Sequence, residues 1–556
     1  MRQATILVIS ESLGTPSIWV YSDSENYGVV TVTVTVRLPL SLRPRYYKLA
    51  RLCRIPVRNS KFAQTRHTKG SRQGSGLLVT SQQFDSVLKG GRVVDPTNSI
   101  DGQFDVGIRH GKIALVAENI ALEQADDIVD VSGQMVMPGH IDTHAHLSSP
   151  FNRSVDRALG HAMLVESGTT TALDLAGDPT AMAEGMVTRG AGLNVASLMG
   201  LVPHSTISED DPRSATLTDV IADVKKRGGI GVKMLGGYHP FTPEASSNVV
   251  NAANDQLAWV AFHVGTKDSG SDMTGLREVP GITGKGRLHV AHINSYTRGM
   301  IDDPHEEVQE ALGMIERMRS QWVTEAYLAQ ANGTNGKCDE NGDLVYNVAQ
   351  NCLKARGYPT TDEGVKTALL DGYGSALVER GGRVVLVTGQ EAVDIWEAAS
   401  TDASLSFPVN PPTSAFSLAT AKYDDGTFRV DAISTDGGSL PRNVAIERSM
   451  ALVAFGALSM NEAVTKLSYT PSRMLGLLNK GHFSEGADAD VTMVNPRTGK
   501  ASMSLVGGEL IMLNGRAIGR GGTWLVLEDG KDAAAASGLP YEVINLENSR
   551  LYENWS

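Results

Sequence analysis

The sequence predicts an α/β protein: a (β/α)8 barrel flanked by a small β-sandwich that is built from both ends of the barrel. Three observations carry this. Short strand-like runs with close turn signals fill residues 84–137. The rhythm then changes to alternating strand and helix, with eight strand-like runs between residues 135 and 438. Strand-like runs with tight turns return after residue 478. A doubly wound open sheet is the structural alternative. It calls for a Gly-rich phosphate loop after the first strand, and none is present.

The gross numbers narrow the classes of function. A chain of 556 residues is too long for one ordinary domain. Hydrophobic residues at 41% and charged residues at 20% suit a globular protein. The net charge of -12 argues against nucleic acid or an anionic membrane as the main partner. Cys53, Cys338 and Cys352 are too few and too far apart for a disulfide framework or a Cys-based zinc motif, so a reducing cytoplasm is expected. No apolar run is long enough to span a bilayer.

The elements follow in order. Residues 1–83 form an atypical basic extension: no acidic residue occurs from Asn26 to Phe84, and only residues 29–36 (VVTVTVTV) alternate like a strand. Such composition fits an organelle transit peptide, a start codon placed too far upstream, or a disordered tail; without a basic amphipathic helix the last two are preferred. Residues 84–137 are the first part of the sandwich. They hold a strand at 87–95 and a hairpin of 105–109 with 112–116 through His110-Gly111. The barrel covers 138–477, with strands expected at 135–147, 168–177, 193–201, 230–237, 256–266, 286–295, 320–329 and 429–438. Helical patterns at 217–227, 306–319 and 444–455 separate some of them. A long insertion at 330–428 has helical stretches near 344–356 and 362–379 and a Pro-rich loop at 408–412; it is expected to cover the barrel mouth. A helix at 460–478 leads into the second part of the sandwich, 478–530, and a C-terminal tail, 531–556.

Chemistry concentrates at the strand ends, where barrels of this kind place their sites. The first strand reads Met137-Pro138-Gly139-His140-Ile141-Asp142-Thr143-His144-Ala145-His146. Residues two apart on a strand share a face, so His144 and His146 aim both imidazoles at one point, as a metal ion requires. Lys233 falls at the fourth strand end, His263 at the fifth, His289 and His292 at the sixth and Asp436 at the eighth. Each has a plainer alternative: a strand-edge lysine, a satisfied core histidine, an Asp-Gly turn. His289 and His292 are three apart and face opposite ways on a strand, so His292, nearer the C-terminal end, is the expected ligand.

Taken together, PGHIDTHAH, ESGTTTALDL, GVKMLGG, FHVGTKD, LHVAHINS, ISTDGG and the late GHFSEGADADVTMV resemble the amidohydrolase superfamily over about residues 84–527. The order Lys, His, His, Asp is similar to hydantoinases, dihydroorotases and related deacetylases. Asp436-Gly437 is closer to the D-aminoacylase branch, which often uses a Cys after strand two that this chain lacks. The resemblance implies two divalent metal ions, zinc by expectation. His144, His146 and Asp436 would hold one, His263 and His292 the other, and a carboxylated Lys233 would bridge them.

It further implies cleavage of a non-peptide carbon–nitrogen bond in a small linear or cyclic amide by a metal-bound hydroxide, with Asp436 as general base and then acid. Substrate orientation falls to residues just beyond strands six and eight: Asn294, Ser295, Tyr296, Arg298, Arg442 or Asn443. Arg442 is notable because a guanidinium matches a carboxylate. Asp142 and Asp174 are candidates to orient the imidazoles. Homo-oligomers are common in the superfamily. A mononuclear deaminase of the same superfamily, or a non-catalytic scaffold on the same fold, are the competing functions.

Overall fold

The structure, a computed structural model, describes residues 83–148 and 156–553. Apart from Gln83, the basic extension expected over 1–83 lies outside the described residues, and so does its alternating run at 29–36.

Eight parallel strands form the central sheet: β1 (His140–His146), β2 (Thr169–Gly177), β3 (Ala191–Gly200), β4 (Gly231–Leu235), β5 (Trp259–His263), β6 (Leu288–Val290), β7 (Trp322–Tyr327) and β8 (Ala432–Ser434). Just past β8, Gly437–Gly438 runs beside β1, with Gly437 opposite Ala145, and closes the ring. The strands are buried almost throughout rather than on alternate residues because helices cover one side and packed side chains fill the other. In Ser214–Lys226, Leu217, Ile221 and Val224 recur at helical spacing and are buried against this sheet. Asp178, Thr242 and Asp303 each cap the helix that follows by accepting a backbone N–H.

Two strands, β6 and β8, fall furthest short of the lengths that the sequence predicts. The run expected at 286–295 leaves the sheet after Val290. His292 adopts a left-handed backbone, φ 36°, and its N–H donates to the Glu325 carboxylate at 2.6 Å. The run expected at 429–438 is regular only over Ala432–Ser434. There the Thr435 N–H is taken by Asp142, and Asp436 is left-handed at φ 47°. In both places a buried carboxylate diverts a ladder N–H, which turns the chain and lifts a polar side chain onto the barrel rim.

The flanking sheet joins both ends of the chain. Met135–Pro138 runs antiparallel to Val491–Asn495, with Val136 opposite Met493. Leu88, Val106, Ile113, Val136, Val491 and Met493 share one apolar core. The C-terminal region differs from expectation. Gly521–Val526, expected with the sandwich, runs parallel to β3, with Trp524 opposite Val195. Residues 531–556, expected as a tail, supply the helix Lys531–Ser537 and the strand Tyr541–Val543. The cause is apolar burial: Leu525, Ile544, Leu546 and Leu551 pack with Ile141, Leu173 and Trp259 inside the barrel.

The insertion is a small unit over the C-terminal ends of the barrel strands. It has a four-stranded antiparallel sheet and its own core, including Leu353, Leu369, Leu405 and Phe407. The helix expected over 362–379 stops at Leu370, because Asp371-Gly372-Tyr373-Gly374 turns the chain with Gly372 at φ 75°. Ser375–Arg380 then forms a strand.

Candidate metal centre and its cavity

The polar strand ends converge. Oδ1 of Asp436 lies 2.9 Å from Nε2 of His146 and 3.2 Å from Nε2 of His144. Nζ of Lys233 lies 2.9 Å from the same His144 nitrogen. The His292 ring stacks on His144 at 5.0 Å between centroids and meets His263 edge-on at 4.5 Å. Candidate ligand atoms of His144, His292 and Asp436 all lie within 4.8 Å of one another. The six residues expected as ligands thus surround one point at the floor of a cavity.

Burial sets the charge state of this cluster. It holds His144, His263 and His292 well below the usual histidine range and lowers His146 to about 4, so each imidazole has a free lone pair. It also lowers Lys233 to about 8, against the pull of Asp436 and Glu325. At Asp436 burial opposes the charge, but the Arg442 guanidinium, 2.7 Å from Oδ2, prevails and keeps the carboxyl well below the ordinary range.

Glu325 is the residue that sequence reasoning missed. Its Oε1 accepts from Nδ1 of His144 at 2.7 Å, which leaves the His144 Nε2 lone pair aimed at the centre. Its Oε2 accepts from the Ser434 hydroxyl. The available signal was an acidic residue inside an apolar strand, TEAY. Asp142 and Asp174 do not touch the imidazoles. Asp142 ties the backbone of His144 to Thr435, and Asp174 takes the Leu147 N–H and the Ser148 hydroxyl. His289 is buried inside the barrel, with Trp259 donating to its Nδ1 and Glu325 3.7 Å from its Nε2.

Of the residues expected to orient substrate, Ser295, Arg298 and Arg442 line the cavity. Asn294 does not; its Oδ1 accepts the Tyr327 N–H. The insertion contributes Asn332, Thr334 and Val348 to the wall.

No family model matches the chain. The dihydroorotase of Syntrophus aciditrophicus is 23% identical over 436 residues, spanning 74% of this chain and 89% of that protein. A stretch of 86 residues, 15% of this chain, is 37% identical to 20% of the dihydroorotase of Aquifex aeolicus. Among solved structures, the N-acyl-D-glutamate deacylase of Bordetella bronchiseptica superposes with a TM-score of 0.58 at 16% identity. It covers 79% of this chain and 99% of its own. A D-aminoacylase gives 0.56 at 17% with the same coverage, and a D-hydantoinase 0.51 at 14% with 79% and 98%. In sequence and in fold the chain is similar to enzymes of the amidohydrolase superfamily.

In this chain the residue after the last-strand Asp is fixed as glycine by packing. A Cβ on Gly437 would lie 2.0 Å from Oδ1 of Asn443. Asn443, expected near substrate, spends its side chain on the Gly438 backbone, accepting its N–H at 2.7 Å and donating to its carbonyl at 2.9 Å. That clamp holds the turn carrying Asp436.

Proposed function

We propose that this chain is a metal-dependent hydrolase that cleaves the carbon–nitrogen bond of a small linear or cyclic amide. One observation carries this most: four neutral histidines, Asp436 and Lys233, from five separate strand ends, meet around a single buried point. The donor set fits a divalent ion. Nδ1 of His292 is buried without a hydrogen-bond partner, while Glu325 already occupies the far nitrogen of His144. Imidazole and carboxylate donors suit zinc.

In this proposal His144, His146 and Asp436 would hold one ion and His263 and His292 a second, with Lys233, carboxylated on Nζ, as a further ligand. Carboxylation needs a neutral amine to attack carbon dioxide with loss of a proton, and burial has brought Lys233 down to about 8 for that purpose. When bound, such ions make water acidic and polarise a carbonyl. Asp436 is kept ionised by Arg442, so Oδ1 is ready to take a proton from the attacking water and deliver it to the leaving nitrogen. The insertion shields the reacting centre from bulk water. Sparse, unpaired cysteines support a cytoplasmic setting, and a homo-oligomer is in keeping with the superfamily. No helix among the described residues is long and apolar enough to cross a membrane.

The deciding experiment pairs metal analysis of the purified protein with a screen of hydantoins, dihydropyrimidines, N-acyl amino acids and lactams. Two ions per chain and release of an amine or ring opening are expected. One ion per chain with release of ammonia from an aminated ring would replace the proposal with a deaminase.

A further inference from the structure

We propose that the substrate is a dianion, an amide bearing two carboxylates that Arg298 and Arg157 receive along the cavity rim; the amide part rests on the hydrolase proposal above. Three guanidinium groups line this cavity, on Arg157, Arg298 and Arg442. Arg442 is already neutralised. It pairs with Oδ2 of Asp436 at 2.7 Å, donates through Nε to the Asp436 carbonyl and lies over the Tyr327 ring.

The other two have no such partner among the described residues. Arg298 donates only to neutral oxygens: Asn410 Oδ1 at 2.8 Å, and Ser295 Oγ and Tyr327 Oη at 3.2 Å. Arg157 donates to Ser439 Oγ at 2.7 Å, and its Nε is buried with no acceptor. Asp174, whose charge acts on Arg157 without an ion-pair contact, already accepts from Leu147 and Ser148. Both guanidinium groups are half-buried, and without counter-ions among the described residues each has charge to spare for a ligand carboxylate. The planar fork of arginine matches a carboxylate through two parallel hydrogen bonds.

Both anchors are also held in place before any ligand arrives. Asn410, from the Pro-rich loop of the insertion, fixes Arg298 Nε while donating to Tyr327 Oη at 2.9 Å and to the Ala329 carbonyl at 3.0 Å. Such bracing lowers the ordering cost of binding. The insertion therefore sets specificity as well as covering the mouth. Arg157 sits beyond β1 and leans on the loop after β8, whereas Arg298 sits beyond β6 and leans on β7. The two carboxylates thus bind at separate sectors of the rim.

The test is calorimetric binding to the metal-loaded full chain. The probes are both enantiomers of N-acetylaspartate and N-acetylglutamate, each against its isosteric mono-anion, N-acetylasparagine or N-acetylglutamine. At least one dianion should bind about tenfold or more tightly than its partner, the scale of a charge-assisted hydrogen-bonded pair. One of Arg298→Gln and Arg157→Gln should erase most of that preference, the other should weaken dianion and mono-anion alike, both with unchanged circular dichroism and melting temperature, and Arg298→Lys should retain part of the affinity that Arg298→Gln loses. Equal affinity for every pair, or a preference that survives both Gln variants, overturns the proposal. A dianion preference without hydrolysis of any probe or screened amide upholds the two anchors and sinks the hydrolase proposal. Efficient hydrolysis of neutral amides without a dianion preference does the reverse.

Discussion

Glu325 on β7 joins two histidines that stand on opposite sides of it in the ring: its Oε1 is 2.7 Å from Nδ1 of His144 and 2.6 Å from the backbone nitrogen of His292. One buried carboxylate therefore orients one imidazole and bends the chain that presents the other. Partners of this kind tune metal affinity by about 10–100-fold. Glu325→Ala should weaken metal binding on that scale in a chelator competition while the fold persists. Unchanged affinity would reduce Glu325 to a packing role.

Lys233→Ala should lower metal content and abolish hydrolysis, and short carboxylic acids with added metal should restore part of it. Protein prepared with carbon-13 bicarbonate should show a carbamate carbon signal that the variant lacks. A wild-type spectrum without that signal would leave Lys233 as an ordinary amine.

Arg442→Met removes one half of a buried ion pair and leaves Asp436 uncompensated. The expected loss is about 3–5 kcal/mol in chelator-treated protein. A bound cation compensates Asp436 instead, so the loss should shrink in metal-loaded protein. Urea unfolding of both forms measures the difference, and equal losses would contradict Asp436 as a ligand.

Leu546→Ala lies far along the chain from every ligand, yet the side chain is buried in the barrel cluster. A loss of about 2–5 kcal/mol is expected from the vacated volume. Thermal unfolding should register it clearly; a change within error would mean that the C-terminal region does not seal the barrel in solution.

Lys466 is buried in the turn Thr465–Tyr469, donating to the Val430 carbonyl at 2.8 Å with its ammonium 4.4 Å above the Phe428 ring. Burial lowers it to about 7. In the unfolded chain the ammonium keeps its proton to about 10.4, so between pH 7 and about 10 the unfolded state binds more protons. Stability from this group therefore rises with pH across that window. Lys466→Met lacks the rise, so unfolding free energies measured against pH should shift in favour of wild type from pH 7 upward. Parallel curves would place the lysine in contact with water.

The residues proposed as ligands were legible because each lies in or just beyond a buried strand, and the barrel brings these segments to one rim. His144 and His146 needed only the two-residue period of a strand. Glu325 was not legible, because its partners lie on other strands and nothing local marks them. The early ends of β6 and β8 were hidden for the same reason: carboxylates distant in sequence divert their backbone N–H groups. Arg442 shows the limit of residue type alone. A guanidinium at the right place suggested a substrate anchor, but the charge beside it decides its use. The segment Gly521–Val526 has the alternation and turns of a sandwich strand, and only the exposed flank of β3 explains why it goes elsewhere.

The strand and loop at residues 541–551 have a consequence for biosynthesis. During translation β1 leaves the ribosome about 400 residues before the leucines that seal its apolar end. Until then Ile141, Leu173 and Trp259 lack their cover and are open to aggregation or to capture by a chaperone. Maturation of the barrel in this sense waits on the segment at 541–551, and is completed only when that segment is free to fold back on β1.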